Sequence, residues 1–167
     1  SDHKQRHDQG SWYYEMQYLG FNYRIPDINC ALGISQLRSV PNWTARRQSI
    51  AAKYDAAFEN LDALTPLAKG ADRTHAYHLY VVQFEGMDKK EVFAALRAEN
   101  IGVNVHYIPV HLHPWYQENL NTKSNQCPVA EEAYEKIISL PMFAAMTDKD
   151  VEDVITSVKK VVSCLKS

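Results

Sequence analysis

His106, Tyr107, His111, His113 and Tyr116 fall within eleven residues, in the run HYIPVHLHPWY. Neutral imidazoles are common metal ligands, and histidines spaced by five and two can reach one ion. No carboxylate or thiolate stands close by in sequence to complete a ligand set, and Pro109 and Pro114 keep the run from forming a helix that would aim the rings together. The same residues suit a second chemistry. Tyrosine and histidine each combine a flat apolar body with a polar tip, which fits the edge of a shaped ligand site. A third reading is a structural loop with solvated histidines and packed aromatics.

A second group, Gly20-Phe21-Asn22-Tyr23-Arg24, stands just before an expected helix. Gly20 permits a turn with positive φ. The Asn22 amide can donate, and the Arg24 guanidinium can grip a phosphate or carboxylate through two parallel bonds. A helix N-terminus immediately behind them favours an anion. The alternative is an Asn and an Arg that only cap a turn. No GxSxG elbow, glycine-rich phosphate loop or CxxC occurs in the chain. Lysines such as Lys53, Lys89, Lys90 and Lys136 sit among polar or helix-surface neighbours, whereas an amine that attacks a carbonyl needs a desolvated pocket or a cationic neighbour. His75 and His78 read as packed or edge residues beside a strand. Cys30 reads as a small core residue on the apolar side of a helix.

The elements that must position these groups follow from periodicity. Ile28, Leu32 and Leu37 mark a first helix opened by Pro26. Pro41 is expected to open a second, with Trp43, Arg47, Ile50, Tyr54, Phe58 and Leu61 at spacings of three and four. Residues 63–75 read as a loop, and residues 75–84, HAYHLYVVQF, as a strand. Asp88 and Glu91 cap a helix through Val92, Phe93 and Leu96. Residues 101–106 read as another strand, running into an irregular stretch at 107–116. Pro128 opens a helix to about Ile138, and residues 140–143 are extended. Thr147 with Asp150 caps a last helix whose apolar face is Val151, Val154, Ile155, Val158, Val162 and Leu165. The expected class is α/β (α+β), a small sheet of two or three strands covered by helices. The polar and aromatic residues 1–20, with Trp12, Tyr13, Tyr14 and Tyr18, read as a connecting segment. Residues 1–40 then form a linking segment with the first helix, and 41–167 a small α/β domain.

Apolar residues make up 46% of the 167 and charged residues 23%, a balance that excludes a disordered chain. The net charge of -2 carries no basic footprint for nucleic acid. No apolar run approaches the ~20 residues that cross a bilayer. Cys30, Cys127 and Cys164 lie far apart and are odd in number, which fits a reducing cytoplasm better than a disulfide framework. The opening SDHKQRHDQG has neither a starting Met nor an apolar leader, so a piece of a longer protein is expected.

Three ordered motifs carry a family resemblance. GFNYRIPDINCALGISQLRSV at 20–40 resembles the stretch beyond the cofactor lysine in the DegT/StrS family of sugar aminotransferases. VHYIPVHLHPWYQ at 105–117 resembles that family's later substrate-side motif, and SLPMF at 139–143 its C-terminal end. The resemblance covers essentially the whole chain from Gly20. It implies the small C-terminal domain of a fold type I aminotransferase that uses pyridoxal 5'-phosphate, preceded by a long linking helix. It also implies that the Schiff-base lysine lies upstream, so that no catalytic residue belongs to this chain and the chain alone is inactive. Asn22 takes the place of the family asparagine that reaches across a homodimer interface toward the partner's cofactor phosphate and substrate, with Arg24 beside it. His106, Tyr107, Ile108, Pro109 and Val110 fall on the loop that lines the sugar-nucleotide side. The substrates implied are glutamate and a 4-keto-6-deoxy sugar nucleotide. At Pro26, where members often carry Ser or Thr, the chain lacks the hydroxyl cap. Two other classes stand beside this reading: a free-standing binding or regulatory module of the same family, and a metal domain using His106, His111 and His113.

Overall fold

The computed structural model describes residues 19–166; most of the aromatic segment at 1–20 lies outside them. The elements are α1 (Asp27–Phe58), β1 (Leu64–Pro66), β2 (Tyr80–Phe84), α2 (Lys89–Ala98), α3 (Pro114–Leu120), α4 (Pro128–Lys136), β3 (Ile137–Leu140) and α5 (Asp148–Leu165), with a 3-10 turn at Val110–Leu112. Two compact units meet inside α1, one ending at Arg38 and the other beginning at Ser39. In the first unit Ile28, Leu32 and Leu37 are exposed along the helix, and Cys30 is half-buried rather than a core residue.

The second unit is built on an antiparallel sheet in the order β1-β2-β3. β2 alternates cleanly: Tyr80, Val82 and Phe84 are buried and the residues between them half-buried. Helices α1, α2 and α5 pack on the sheet through Ile50, Tyr54 and Phe58, Val92 and Leu96, and Val151, Val154, Val158 and Val162, beside Leu64 of β1 and Ile138 and Leu140 of β3. Asp88 accepts the Lys90 N–H at 2.7 Å, and Thr147 and Asp150 form a reciprocal capping box. Leu165 is more than a third exposed, and Val161 is buried on that face of α5 instead.

Several boundaries differ from expectation, each for a physical reason. Pro41 does not start a second helix; it lies inside α1. A proline there removes one hydrogen bond and costs about 3 kcal/mol. Burial of Ile50, Tyr54 and Phe58 further along the same helix contributes roughly 1.5–3 kcal/mol each and outweighs that loss. The strand expected at 75–84 is shortened to β2 because Tyr77 has φ 51°, a left-handed turn that no strand tolerates. Leu64–Pro66, expected as loop, pairs with β2, a strand too short to show alternation in sequence. Residues 101–106 contribute only a bridge from Asn104 to Ser139. The Asn104 side chain accepts the Val105 N–H at 2.8 Å and ends the pairing there. Pro114 opens α3 rather than keeping the run from helix, since its fixed φ suits a first helical turn. α4 gives way to β3 at Ile137, so the extended piece precedes rather than follows Leu140.

Candidate functional site

The sequence-derived site residues fall into the two units, and each group is described by itself. In the first unit Arg24 Nε donates to Asn22 Oδ1 at 2.9 Å, and the Arg24 backbone N–H donates to the Asn22 carbonyl at 2.9 Å. The pair is exposed. Its internal bond uses the amide oxygen only, so the two amide N–H donors of Asn22 and the terminal guanidinium nitrogens of Arg24 face outward. That donor set fits a phosphate.

In the second unit the loop after Val103 leaves the sheet under tight control. Asn104 and Ser139 exchange backbone bonds at 3.2 and 2.7 Å. Ser139 is buried, and its hydroxyl lies 2.8 Å from His106 Nδ1. The His106 ring meets Tyr107 edge to face at 4.6 Å, and the peptide between them is cis. Tyr107 is 71% exposed, Ile108 and Val110 are exposed, and Pro109 is half-buried. The loop thus presents an aromatic ring and apolar edges while its root is fixed in the sheet.

The far end is fixed as firmly, by a residue that sequence reasoning missed. No carboxylate stands near His111 in sequence, but α4 brings Glu131 to it, with Oε1 2.8 Å from His111 Nε2. Glu131 Oε2 accepts the Asn125 N–H at 3.0 Å and Oε1 the Cys127 N–H at 3.3 Å. The Asn125 bond, then the imidazole, holds the Glu131 carboxyl below the usual range. An ionised carboxylate only accepts, so His111 Nε2 carries the proton and donates. Thr122 Oγ1 adds a bond to the His111 carbonyl at 2.7 Å. His106 and His111 therefore face different partners, Ser139 and Glu131. Among the described residues no three His, Cys, Asp or Glu gather as a metal set.

Lys89 departs from the exposed lysines expected. It is half-buried, its ammonium lies 3.5 Å from the centre of the Tyr134 ring and donates to the Tyr134 carbonyl, and desolvation pushes its pKa down. His75 and His78 are exposed loop residues rather than packed ones, and His75 Nδ1 accepts the Tyr77 N–H at 2.9 Å.

The second unit is thus a three-stranded antiparallel sheet under helices with an exposed aromatic loop rooted in the sheet. Residues 2–159 match the DegT/DnrJ/EryC1/StrS aminotransferase family, and the chain belongs to it. It is 40% identical over 158 residues to the spore coat polysaccharide biosynthesis protein SpsC of Bacillus subtilis, covering 92% of this chain and 41% of that protein. Among solved structures, Helicobacter pylori PseC, an aminotransferase involved in the biosynthesis of pseudoaminic acid, superimposes with a TM-score of 0.80 at 30% identity, over 92% of this chain and 42% of that one. The PLP form of the putative sugar aminotransferase Spr1654 from Streptococcus pneumoniae gives 0.81 at 29% identity, over 92% and 40%. The chain spans about two fifths of the length of the curated relatives it matches. No helix among the described residues is long and apolar enough to cross a membrane.

Proposed function

We propose that this chain is the C-terminal part of a pyridoxal 5'-phosphate-dependent sugar aminotransferase that moves an amino group from glutamate to a 4-keto-6-deoxy sugar nucleotide in the cytoplasm. The observation that carries the reading is the family match across residues 2–159, which spans both the Asn22–Arg24 pair and the exposed loop at 106–110. The finer substrate we favour is the one that yields UDP-4-amino-4,6-dideoxy-N-acetyl-β-L-altrosamine. The wording of the GFNYR and HYIPVH motifs and the likeness to PseC support that choice. The division into a linking part at 1–40 and a small domain at 41–167 belongs to the same proposal, as does a homodimer in which Asn22 serves the partner's site.

When bound, the cofactor supplies the electron sink for amino transfer, and the protein supplies binding and orientation. Asn22 donates toward the cofactor phosphate or the substrate, and Arg24 holds the Asn22 oxygen so that its amide hydrogens point outward. His106, rooted on Ser139, sets the direction of Tyr107. Tyr107, Ile108, Pro109 and Val110 form an apolar and aromatic wall that covers one side of the sugar nucleotide and keeps water from it.

The two substrates separate the roles. In the full-length parent, Tyr107→Ala should weaken use of the keto sugar nucleotide about tenfold, the worth of one lost aromatic or hydrogen-bonded contact. The half-reaction with glutamate should stay nearly intact, because the small donor does not reach the nucleotide side. Asn22→Ala should weaken cofactor or sugar-nucleotide binding roughly ten- to a hundredfold through one lost bond to a charged phosphate. Single-turnover kinetics of both half-reactions measure the two effects. Equal damage to both halves by Tyr107→Ala would reduce the loop to a structural element and sink the reading.

A further inference from the structure

The loop at 106–110 is held at two roots, and only the first lies in the sheet. The second is the 3-10 turn Val110–Leu112, whose His111 is tied through its side chain to one carboxylate and through its carbonyl to Thr122. Glu131, in the first half of α4, collects the His111 Nε2–H and the backbone N–H groups of Asn125 and Cys127. The His111 side chain is 10% exposed and that of Glu131 19%, so the pair is largely shielded from water. Thr122 closes the arrangement from the connecting segment by donating to the His111 carbonyl. A turn bound in this way has little freedom to swing, and Val110 is its first residue.

We propose that Glu131 and His111 are positioning residues that hold residues 107–110 in register against the sugar nucleotide, a role that rests on the aminotransferase reading above. Neither side chain touches the ligand. Their effect passes through the backbone at Val110 and Pro109. A misplacement of the order of 1 Å at a binding edge weakens productive contact by large factors, which is why a buried clamp belongs behind an exposed wall. The carboxylate is required by the donor count. It accepts three N–H groups at once, whereas a glutamine in its place turns its own NH2 against one of them.

The test uses the full-length parent carrying Glu131→Gln, His111→Ala, His111→Gln or Tyr107→Ala, with equilibrium binding of UDP-N-acetylglucosamine measured by calorimetry beside the two half-reactions. Glu131→Gln and His111→Ala should each weaken UDP-N-acetylglucosamine binding and raise the KM for the keto sugar nucleotide about tenfold, leaving the glutamate half-reaction within about twofold. His111→Gln keeps a donor near the Nε2 position and should bind within about threefold of the wild type. Should Glu131→Gln fail to fold, the contrast between the two His111 variants decides the matter. Binding unchanged in Glu131→Gln or His111→Ala while Tyr107→Ala is impaired overturns the clamp and leaves the aminotransferase reading standing. Equal loss in both half-reactions, or no rescue by His111→Gln, also overturns it. If the wild-type parent neither binds the probe nor aminates a keto sugar nucleotide, the functional reading fails and the clamp falls with it.

Discussion

Replacing Arg47 with alanine should lower the unfolding free energy of the chain by about 3 kcal/mol, at the upper end for a charged donor that leaves acceptors behind. Arg47 Nη1 lies 2.9 Å from the Tyr77 carbonyl, 3.1 Å from that of His78 and 2.9 Å from that of Met142. These oxygens belong to the segments entering β2 and leaving β3, so one guanidinium joins both to α1. Without it the carbonyls lose their partner, and the left-handed turn at Tyr77 loses the bond that compensates its backbone. Arg47→Lys keeps the charge on a differently shaped head group and should recover only part of the loss. Urea unfolding followed by far-ultraviolet circular dichroism measures the difference. A loss below about 1 kcal/mol for Arg47→Ala would show that water replaces the guanidinium without penalty.

Supplied with pyridoxal phosphate, glutamate and a 4-keto-6-deoxy sugar nucleotide, the chain by itself should transfer no amino group. Covalent capture of the cofactor needs a lysine whose amine is desolvated and free to attack. Lys89 meets the first condition and not the second, because its ammonium is engaged by the Tyr134 carbonyl and ring. Lys69 is tied to the Tyr77 hydroxyl at 3.0 Å and Lys136 to Glu85 and Glu132, contacts that raise both pKa values and keep the amines protonated. Borohydride reduction followed by peptide mass spectrometry should find no pyridoxyl group concentrated on one lysine. Turnover together with a single labelled lysine would overturn the assignment of that role to upstream sequence.

Local signals were legible in the sequence and distant ones were not. The Asp88 cap and the Thr147–Asp150 box involve groups two or three residues apart, so residue type and spacing nearly determine them. The apolar face of α5 follows from its period. Tyr77 is different: its left-handed turn is held by His75 Nδ1 and also by Arg47, thirty residues away, and nothing in the HAYH stretch announces the second bond. The extent of α1 is not legible because Pro41 reads locally as a helix opener, while the burial that overrides it lies nine to seventeen residues further on. For the candidate site, the motifs marked Asn22, Arg24 and residues 106–110, but the Glu131 carboxylate was invisible. Two of its three partners are backbone N–H groups, which every residue except proline possesses, and His111 is twenty positions upstream. A carboxylate four residues beyond an uncapped helix start was the faint signal available.

The brevity of the sheet has a consequence for how copies of this chain meet. Its outer strands are three and four residues long, β1 ends on Pro66, which has no N–H to offer, and the flank of β3 is taken at Ser139 by Asn104. A stray extended polypeptide therefore finds almost no unpaired ladder on which to add itself, and fibril growth by strand addition lacks a template. Among the described residues, exposed side chains such as Ile28, Leu32 and Leu37 offer a surface for self-association that main-chain pairing at this sheet does not. Contacts of that kind are dispersed by mild detergent, which leaves the hydrogen-bonded sheet intact.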